Sequence, residues 1–392
     1  MRRRDPKGAL LKTGESYRKD GRYEYRYSDF KGKRHSIYAQ TLFDLRQEEE
    51  RVDAANKIDE NYIAGGITVL QLVERYISIR QGVRYNTKVG YNFVKNLLSK
   101  EKFSTYKVRD VKVSDAKLWF IKLHEDGKGY STLTSVRGVL KPAFDMAYEE
   151  DIIHKNPFAF KITTVVPNDS ERRIAMTDKQ LNALMEFFKN DPTYRKHYNQ
   201  FVVLLETGMR VSELCGLTMK DIDFENRRIN VDHQLVRERS GRYYTEETKT
   251  KSGKRQIPMS DECYEALKNI VTNRRKPKVE PIIGGYTGFL LLDKKNQPKV
   301  SLHIENNLRW GLDKYRKLHP DKPLPNITPH VFRHTFCTNM AKAGLDIKSL
   351  QYLMGHSDVG TTMNVYTHAN YESALVQFKK IKKMDEQKRD AV

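Results

Sequence analysis

The sequence predicts a multidomain chain: a small β-sheet-plus-helix N-terminal domain, an all-α middle domain, and a mixed α+β, mainly α, C-terminal domain. Three observations predict it. The 392 residues suffice for two or three domains with cores of their own. Residues alternate with a period of two over 16–38, turn helical over about 68–150, and return to strand patterning between 229 and 258. Connectors fall between these stretches, at Gly65-Gly66 and at Pro167-Asn168-Asp169-Ser170. The expected domains are residues 1–62, 67–164 and 172–380, followed by a charged tail at 381–392.

In chain order, Asp20-Gly21 is a hairpin turn between Ser16–Lys19 and the run Arg22–Tyr27, where tyrosines alternate with charged residues. A third strand, Arg34–Tyr38, follows the Lys31-Gly32-Lys33 turn. Thr41 then begins a helix to about Asn61 with Leu42, Leu45, Val52 and Ala55 on one side. Residues 1–46 hold thirteen Lys and Arg against six Asp and Glu. With Arg18, Arg22, Arg26 and Lys33 turned outward, such a sheet fits a DNA major groove. Thr68 caps a helix whose apolar face is Val69, Leu72, Val73 and Tyr76, and further helices are expected at Thr87–Leu98, Asp115–His124 and Thr132–Glu150. This middle stretch has no acid–base cluster. Its Lys88, Lys95, Lys128, Tyr130, Ser131, Thr132 and Arg137 suit phosphate contacts, which position a duplex without reading it. The polar connection Val165–Arg173 is the expected hinge.

A net charge of +21, spread along the whole chain, points to a polyanionic partner, nucleic acid first. No run of eighteen apolar residues exists, and Arg2, Arg3 and Arg4 lead into no apolar secretory core. A cytoplasmic location and no membrane partner are therefore expected. Cys215, Cys263 and Cys337 form no pairing or metal motif, which fits a reduced compartment and packing roles.

The third domain opens with a helix capped at Thr177, continues through a buried helix at Phe201–Leu205, and turns at Gly208 within L-E-T-G-M-R-V-S-E-L. Arg210 sits at that turn, before a helical apolar face of Val211, Leu214 and Cys215. Glu213 is expected to orient backbone or an arginine. Strands are expected at Arg228–Val231, Gly241–Glu247 and Arg255–Pro258, with Lys251–Lys254 as a turn. In T-P-H-V-F-R-H-T-F, Thr328 is placed to cap a helix and Pro329 to open it. Phe332 and Phe336 should face inward, while His330 and Arg333 share a face near the positive end of the helix dipole, where an anion is favoured. Gly344 closes that helix. Asp346 caps the next, with Ile347, Leu350 and Leu353 as its stripe, and Gly355 ends it just before His356. Tyr366 follows ten residues later. Breaking a phosphodiester needs cationic donors on the non-bridging oxygens, a nucleophile, and an acid for the leaving 5′-oxygen. Arg210, Arg333, His330, His356 and Tyr366 supply most of that set.

Arg210 in T-G-x-R-x-S-E-L, His330 and Arg333 in H-x-x-R, His356 in L-M-G-H and Tyr366 in N-x-Y-T-H together resemble the tyrosine recombinase family, most of all the integrases of conjugative transposons and related phages. The resemblance to the catalytic part covers roughly half the chain. It implies that two arginines and a histidine grip the scissile phosphate, that a hairpin lysine protonates the leaving oxygen, and that the tyrosine joins the DNA 3′-phosphate. Family lysines stand two residues before a glycine, which selects Lys251 and leaves Lys249 and Lys254 as fallbacks. The resemblance also makes residues 1–62 an arm-binding domain and the helical stretch a core-binding domain.

On this reading Tyr366 attacks phosphorus while Arg210 and Arg333 hold non-bridging oxygens bidentately. His330 and His356 donate hydrogen bonds, His330 also accepting the tyrosine proton, and Lys251 delivers a proton to the 5′-oxygen. The phosphotyrosine keeps the bond energy, so no cofactor is expected. The implied partners are double-stranded DNA at element ends and target, further copies of the chain in a homo-tetramer on a Holliday junction, and, for excision, an accessory factor. Leu375, Phe378 and Ile381 form an apolar stripe suited to C-terminal helix exchange between protomers, or to packing on their own domain. Tyr371 is a second tyrosine outside the N-V-Y-T-H context. Rival readings are a metallo-phosphoesterase using His330, His334, His356 and His368, a type IB topoisomerase-like strand-passage enzyme, and a non-catalytic DNA-binding protein.

Overall fold

A computed structural model describes residues 3–28, 33–63, 66–170, 174–248 and 251–366. The chain divides into two compact units, residues 1–171 and 172–392.

The first unit begins with an antiparallel sheet of β1 (Glu15–Tyr17), β2 (Tyr23–Ser28) and β3 (Arg34–Ala39) in the order β1-β2-β3. Gly21 takes the hairpin turn at φ +83°, where a side chain would be strained. The tyrosine and charge alternation of β2 sorts Tyr23, Tyr25 and Tyr27 to one face and Glu24 and Arg26 to the other. Helix α1 (Leu42–Ile63) starts where the Thr41 hydroxyl accepts from the Asp44 N–H at 3.1 Å, and Arg46 ties it to the buried Glu15 at 2.9 Å. Four helices follow: α2 (Val69–Ile79), α3 (Tyr85–Leu98), α4 (Val113–Glu125) and α5 (Tyr130–Glu149). The Thr68 cap forms as expected. Their core is aromatic, with Phe103 stacked on Trp119 and Phe120, Phe144 and Phe158 fully buried. Asp169, expected in a hinge, instead accepts from the first N–H of α5 at 2.9 Å, so the connection is tied down to that point. Residues 171–173, Gly65 and the Lys31-Gly32 turn lie outside the described residues.

The second unit is mainly helical: α6 (Asp178–Asn190), α7 (Tyr198–Thr207), α8 (Val211–Gly216), α9 (Asp261–Thr272), α10 (Ser301–Leu318), α11 (Pro329–Ala343), α12 (Ile347–Met354) and α13 (Val359–Tyr366). Phe188, Phe201, Phe289 and Phe332 are fully buried at its centre, the rings of Phe201 and Phe332 stacked at 5.7 Å. The strands depart from expectation. The described residues form two sheets: β4 (Ile222–Asp223), β5 (Arg228–Val231) and β8 (Arg255–Pro258) pair as β4-β5-β8, while β6 (His233–Arg237) and β7 (Tyr243–Glu247) form a separate hairpin. The strand expected from Gly241 begins at Tyr243, because Gly241 at φ +93° closes the turn back to Glu238. All three cysteines are buried and free, and burial pushes the thiols of Cys215 and Cys263 up to about 12. No helix among the described residues is long and apolar enough to cross a membrane.

Candidate active site

The candidate site is built around the C-terminal end of α12. Gly355, at φ +60°, closes the helix in the left-handed conformation that leaves the last carbonyls without helical partners. Three successive carbonyls there each accept from a different arginine. Leu353 O accepts from Arg255 Nε at 2.6 Å, Met354 O from Arg333 Nη2, and Gly355 O from Arg210 Nη2 at 3.2 Å. The negative end of the helix dipole favours such cations.

Each arginine is also fixed from a second side. Arg210 occupies the N-cap of α8, its N–H and Nη1 donating to the two oxygens of Glu213 at 2.8 and 2.7 Å. Arg255 donates to the same carboxylate at 2.8 Å and to Gly253 O at 3.0 Å. Arg333 donates from Nη1 to Gly208 O at 2.6 Å. Gly208, at φ +60°, ends α7, and a Cβ there would lie 2.3 Å from the Phe336 ring, so glycine is what lets α11 approach the Arg210 turn. Glu213 orients both backbone and arginine, as expected. Burial raises its carboxyl, but Arg255 and Arg210 outweigh that and bring it down to about 2. Burial, with Arg210 and Arg255 near, pulls Arg333 down to about 9, still charged at neutral pH.

His356 leads away from the Gly355 corner. Its Nδ1 meets the buried Thr362 hydroxyl at 3.0 Å, and its backbone is fixed both ways by Gln351. Burial and then Arg333, Arg210 and Arg255 pull the imidazole down to about 4, so it is neutral at pH 7. In the tautomer whose Nδ1 accepts from Thr362, Nε2 carries the proton and is a donor. Lys251 opens a 3-10 turn, Lys251–Gly253, that borders the same corner: a Cβ on Gly355 would come 3.3 Å from Ser252 O. Tyr366 is the last residue of α13, which packs on α11 and α12.

Arg210, Arg333, His356 and the Lys251 turn are therefore brought together. His330 and Arg333 do not share one environment: Arg333 is 7% exposed, whereas His330 is exposed on the first turn of α11. Phe332 and Phe336 are both buried, as expected. The Thr328 hydroxyl makes no cap bond, although Thr328 holds the N-cap position before Pro329. Of the fallback lysines, Lys254 pairs with Glu247 at 3.4 Å, and Lys249 lies outside the described residues, as do His368, Tyr371, Leu375, Phe378, Ile381 and the tail. Arg255 was not anticipated. Its signal was there: in β8 it alternates inward with Ile257, a charge at a core position. Asp221, Asp232 and His233 lie close enough to share a metal ion, but His233 already spends both ring nitrogens, on Asp232 and on Gly216 O at 2.7 Å.

In the first unit Arg22 and Arg26 are exposed and Arg18 half-buried, held by Asp20 and Glu24, and Lys33 is exposed beside β3. Lys88, Lys128 and Ser131 are exposed, Tyr130 and Thr132 half-buried at the start of α5. Lys95 pairs with Glu74 at 3.7 Å, and Arg137 donates to Phe158 O at 3.1 Å, a structural bond that ties part of its guanidinium down.

The model of the phage integrase family matches residues 175–373, and that of the DNA-binding domain of Tn916 integrase matches residues 1–55. The chain belongs to the phage integrase family. It is a tyrosine recombinase, an enzyme of site-specific recombination. This integrase-family chain is 41% identical, over 99% of its length and 98% of theirs, to the transposase from transposon Tn916 of Enterococcus faecalis and to that from Tn1545 of Streptococcus agalactiae. Among solved structures it resembles the Tn1549 transposon integrase in complex with transposon right end DNA. That match has 41% identity and a TM-score of 0.75, covering 80% of this chain and 99% of that one.

Proposed function

We propose that this recombinase excises and integrates a mobile element, acting in the cytoplasm on double-stranded DNA at element ends and target. Tyr366 attacks the phosphorus and becomes a 3′-phosphotyrosine. Arg210 and Arg333 hold the non-bridging oxygens, since each guanidinium has donors beyond those its carbonyl and carboxylate partners engage. Neutral His356 donates from Nε2, exposed His330 takes the tyrosine proton, and Lys251 protonates the 5′-oxygen. Attack by the partner strand's 5′-hydroxyl reverses the chemistry, and two exchanges through a Holliday junction held by a homo-tetramer complete recombination. Residues 1–62 serve as the arm-binding domain, 67–164 as the core-binding domain and 172–380 as the catalytic domain. C-terminal helix exchange and an accessory excision factor belong to the same proposal.

The observation that supports this reading most is the row of carbonyls at residues 353–355, which gathers Arg210 and Arg333 beside His356 on one corner. The test is a nicked suicide duplex carrying candidate element ends, incubated in EDTA. We expect a covalent adduct that survives chelation, vanishes in Tyr366→Phe and forms at least about 100-fold more slowly in Arg210→Lys. An adduct retained in Tyr366→Phe would displace Tyr366 as nucleophile.

A further inference from the structure

The catalytic unit holds a second polar site that the recombination chemistry does not use. A cleft of about 790 Å³ opens between the 3-10 turn Arg195–His197, the end of α9, the segment 290–294 and α10. That volume lies within the range of small-molecule sites, roughly 300–1,000 Å³. Its walls are strongly basic, and the one carboxylate among the lining residues, Asp293, already accepts from the Lys295 and Gln297 N–H groups at 2.7 and 2.9 Å. Arg274 is neutralised by Glu280 at 2.7 Å. Lys299 is different: half-buried, it forms no ion pair with any described residue. Burial disfavours its charged form, and Asp293 across the cleft offsets that only in part, so an anion bound there would favour the ammonium.

Two buried polar side chains also line the cleft. His197 and Gln200 are 6% and 5% exposed, and neither His197 Nδ1 nor Gln200 Oε1 has a partner. The two side chains lie close enough for Gln200 to act on the imidazole as a hydrogen-bond partner does, raising it against the stronger effect of burial. Native proteins leave few buried polar atoms orphaned, and those that persist often await a ligand or an ion. At the rim stands the half-exposed indole of Trp310, a flat apolar surface beside the basic wall.

A basic wall with a half-buried ammonium that makes no ion pair, an aromatic face and buried polar side chains fit one chemical pattern: an anionic phosphate joined to a planar, hydrogen-bonding ring. We propose that this cleft binds a nucleotide, with its phosphate on Lys299 and neighbouring Lys196 and its base against Trp310. The bond energy of the reaction is kept in the phosphotyrosine, so the nucleotide is a bound effector and not a fuel. The chain's own C-terminal stretch is a poor occupant on charge alone, since residues 379–392 hold six Lys and Arg against three Asp and Glu and would meet a wall of like sign.

A free nucleotide and a nucleotide within a DNA strand present this same chemistry, and one experiment separates them. The full chain is titrated with ADP, and with inorganic phosphate, by calorimetry, with thermal unfolding run alongside to establish that each variant is folded. We expect saturable ADP binding at 1:1, weakened roughly tenfold or more by Lys299→Met through loss of a charge-assisted hydrogen bond. Trp310→Ala, a change at an exposed position, should weaken it about three- to tenfold. Arg210→Ala should leave it unchanged. If Lys299→Met also weakens affinity for a duplex and the duplex displaces ADP, the natural occupant is a nucleotide of the DNA strand; if ADP binding persists on the DNA complex, it is a free nucleotide. Absence of saturable ADP binding up to about 10 mM would overturn the proposal, that concentration corresponding to an affinity too weak to matter. So would binding indifferent to both Lys299→Met and Trp310→Ala, or binding lost in Arg210→Ala.

Discussion

Two regions of this recombinase use one device, a carboxylate that holds a pair of arginines, in opposite surroundings. In the N-terminal sheet Glu24 is nearly buried, with Arg26 at 3.0 Å and Arg18 at 3.4 Å; their side chains are 70% and 38% exposed. In the second unit Glu213 holds Arg255 at 2.8 Å and Arg210 at 2.7 Å, and there Arg255 is fully buried. Both carboxyls are brought down to about 2, Glu24 chiefly by Arg26 and Glu213 by Arg255 and Arg210 against the cost of burial. The resulting charge state is the same and the consequence is not. A wet guanidinium that loses its partner turns to water, whereas a buried one is left with an uncompensated charge. The buried network therefore fixes geometry, whereas the sheet's arginines, though paired, stay hydrated.

The largest expected effect breaks the buried half of this comparison. Glu213→Ala strands Arg255 and unties Arg210 from the α8 N-terminus. Unfolding in urea should show a loss of about 3–5 kcal/mol, and adduct formation on the suicide duplex should fall with it. Glu24→Ala, measured in the same way, should cost no more than about 1 kcal/mol. Equal losses for the two would show that burial of the arginine does not decide the outcome.

Acid should separate the regions next. The His356 imidazole is held at about 4, by burial and then by Arg333, Arg210 and Arg255, below its usual 6.5. The unfolded chain thus binds that proton more tightly. The contribution is complete above pH 6.5 and is lost as pH falls toward 4. His197, depressed to about 4 by burial, acts in the same window. Glu24, depressed from 4.5 to about 2, keeps its contribution through that window and loses it only below. Thermal unfolding from pH 7.5 to 4.5 should therefore show a decline that is shallower in His356→Asn. Superimposable profiles would mean that the corner does not carry the acid sensitivity.

How much of this could be read in advance depends on which residues punctuate the chain. Gly208, Gly344, Gly355, Asp346 and Thr177 mark helix ends by their own chemistry, so α7, α11, α12 and α6 were legible, and with them Arg210, Arg333 and His356. Strand β6 was hidden because its first inward residue is His233, made acceptable inside only by its bonds to Asp232 and Gly216. Helix α10 was overlooked although Ile304, Leu308, Leu312 and Tyr315 make a stripe at helical spacing. The row of carbonyls at 353–355 was out of reach altogether. Backbone oxygens carry no letter, and which arginine meets which carbonyl follows only from the packing of α12 against β8, α8 and α11. His330 and Arg333 stand one turn apart on α11, but the burial of Arg333 was not legible there, because a partner that holds it, Gly208, lies more than a hundred residues away.

The smallest expected effect tests the exposed half of the comparison. Glu24→Gln removes the charge that holds Arg18 and Arg26 to the sheet and keeps the side chain's size. Stability should change by no more than about 1 kcal/mol, since both arginines stay hydrated. Affinity for DNA should rise, and the slope of log Kobs against log salt should steepen by about 0.9 for each arginine released to a phosphate. A steeper slope with unchanged discrimination between element ends and random duplex would make these arginines backbone contacts that position the sheet. Equal affinity gains accompanied by poorer discrimination would mean that Glu24 aims them at base edges, because an arginine must be held in plane to read guanine bidentately. An unchanged slope would remove Arg18 and Arg26 from the DNA interface and leave their ion pairs as ordinary surface structure.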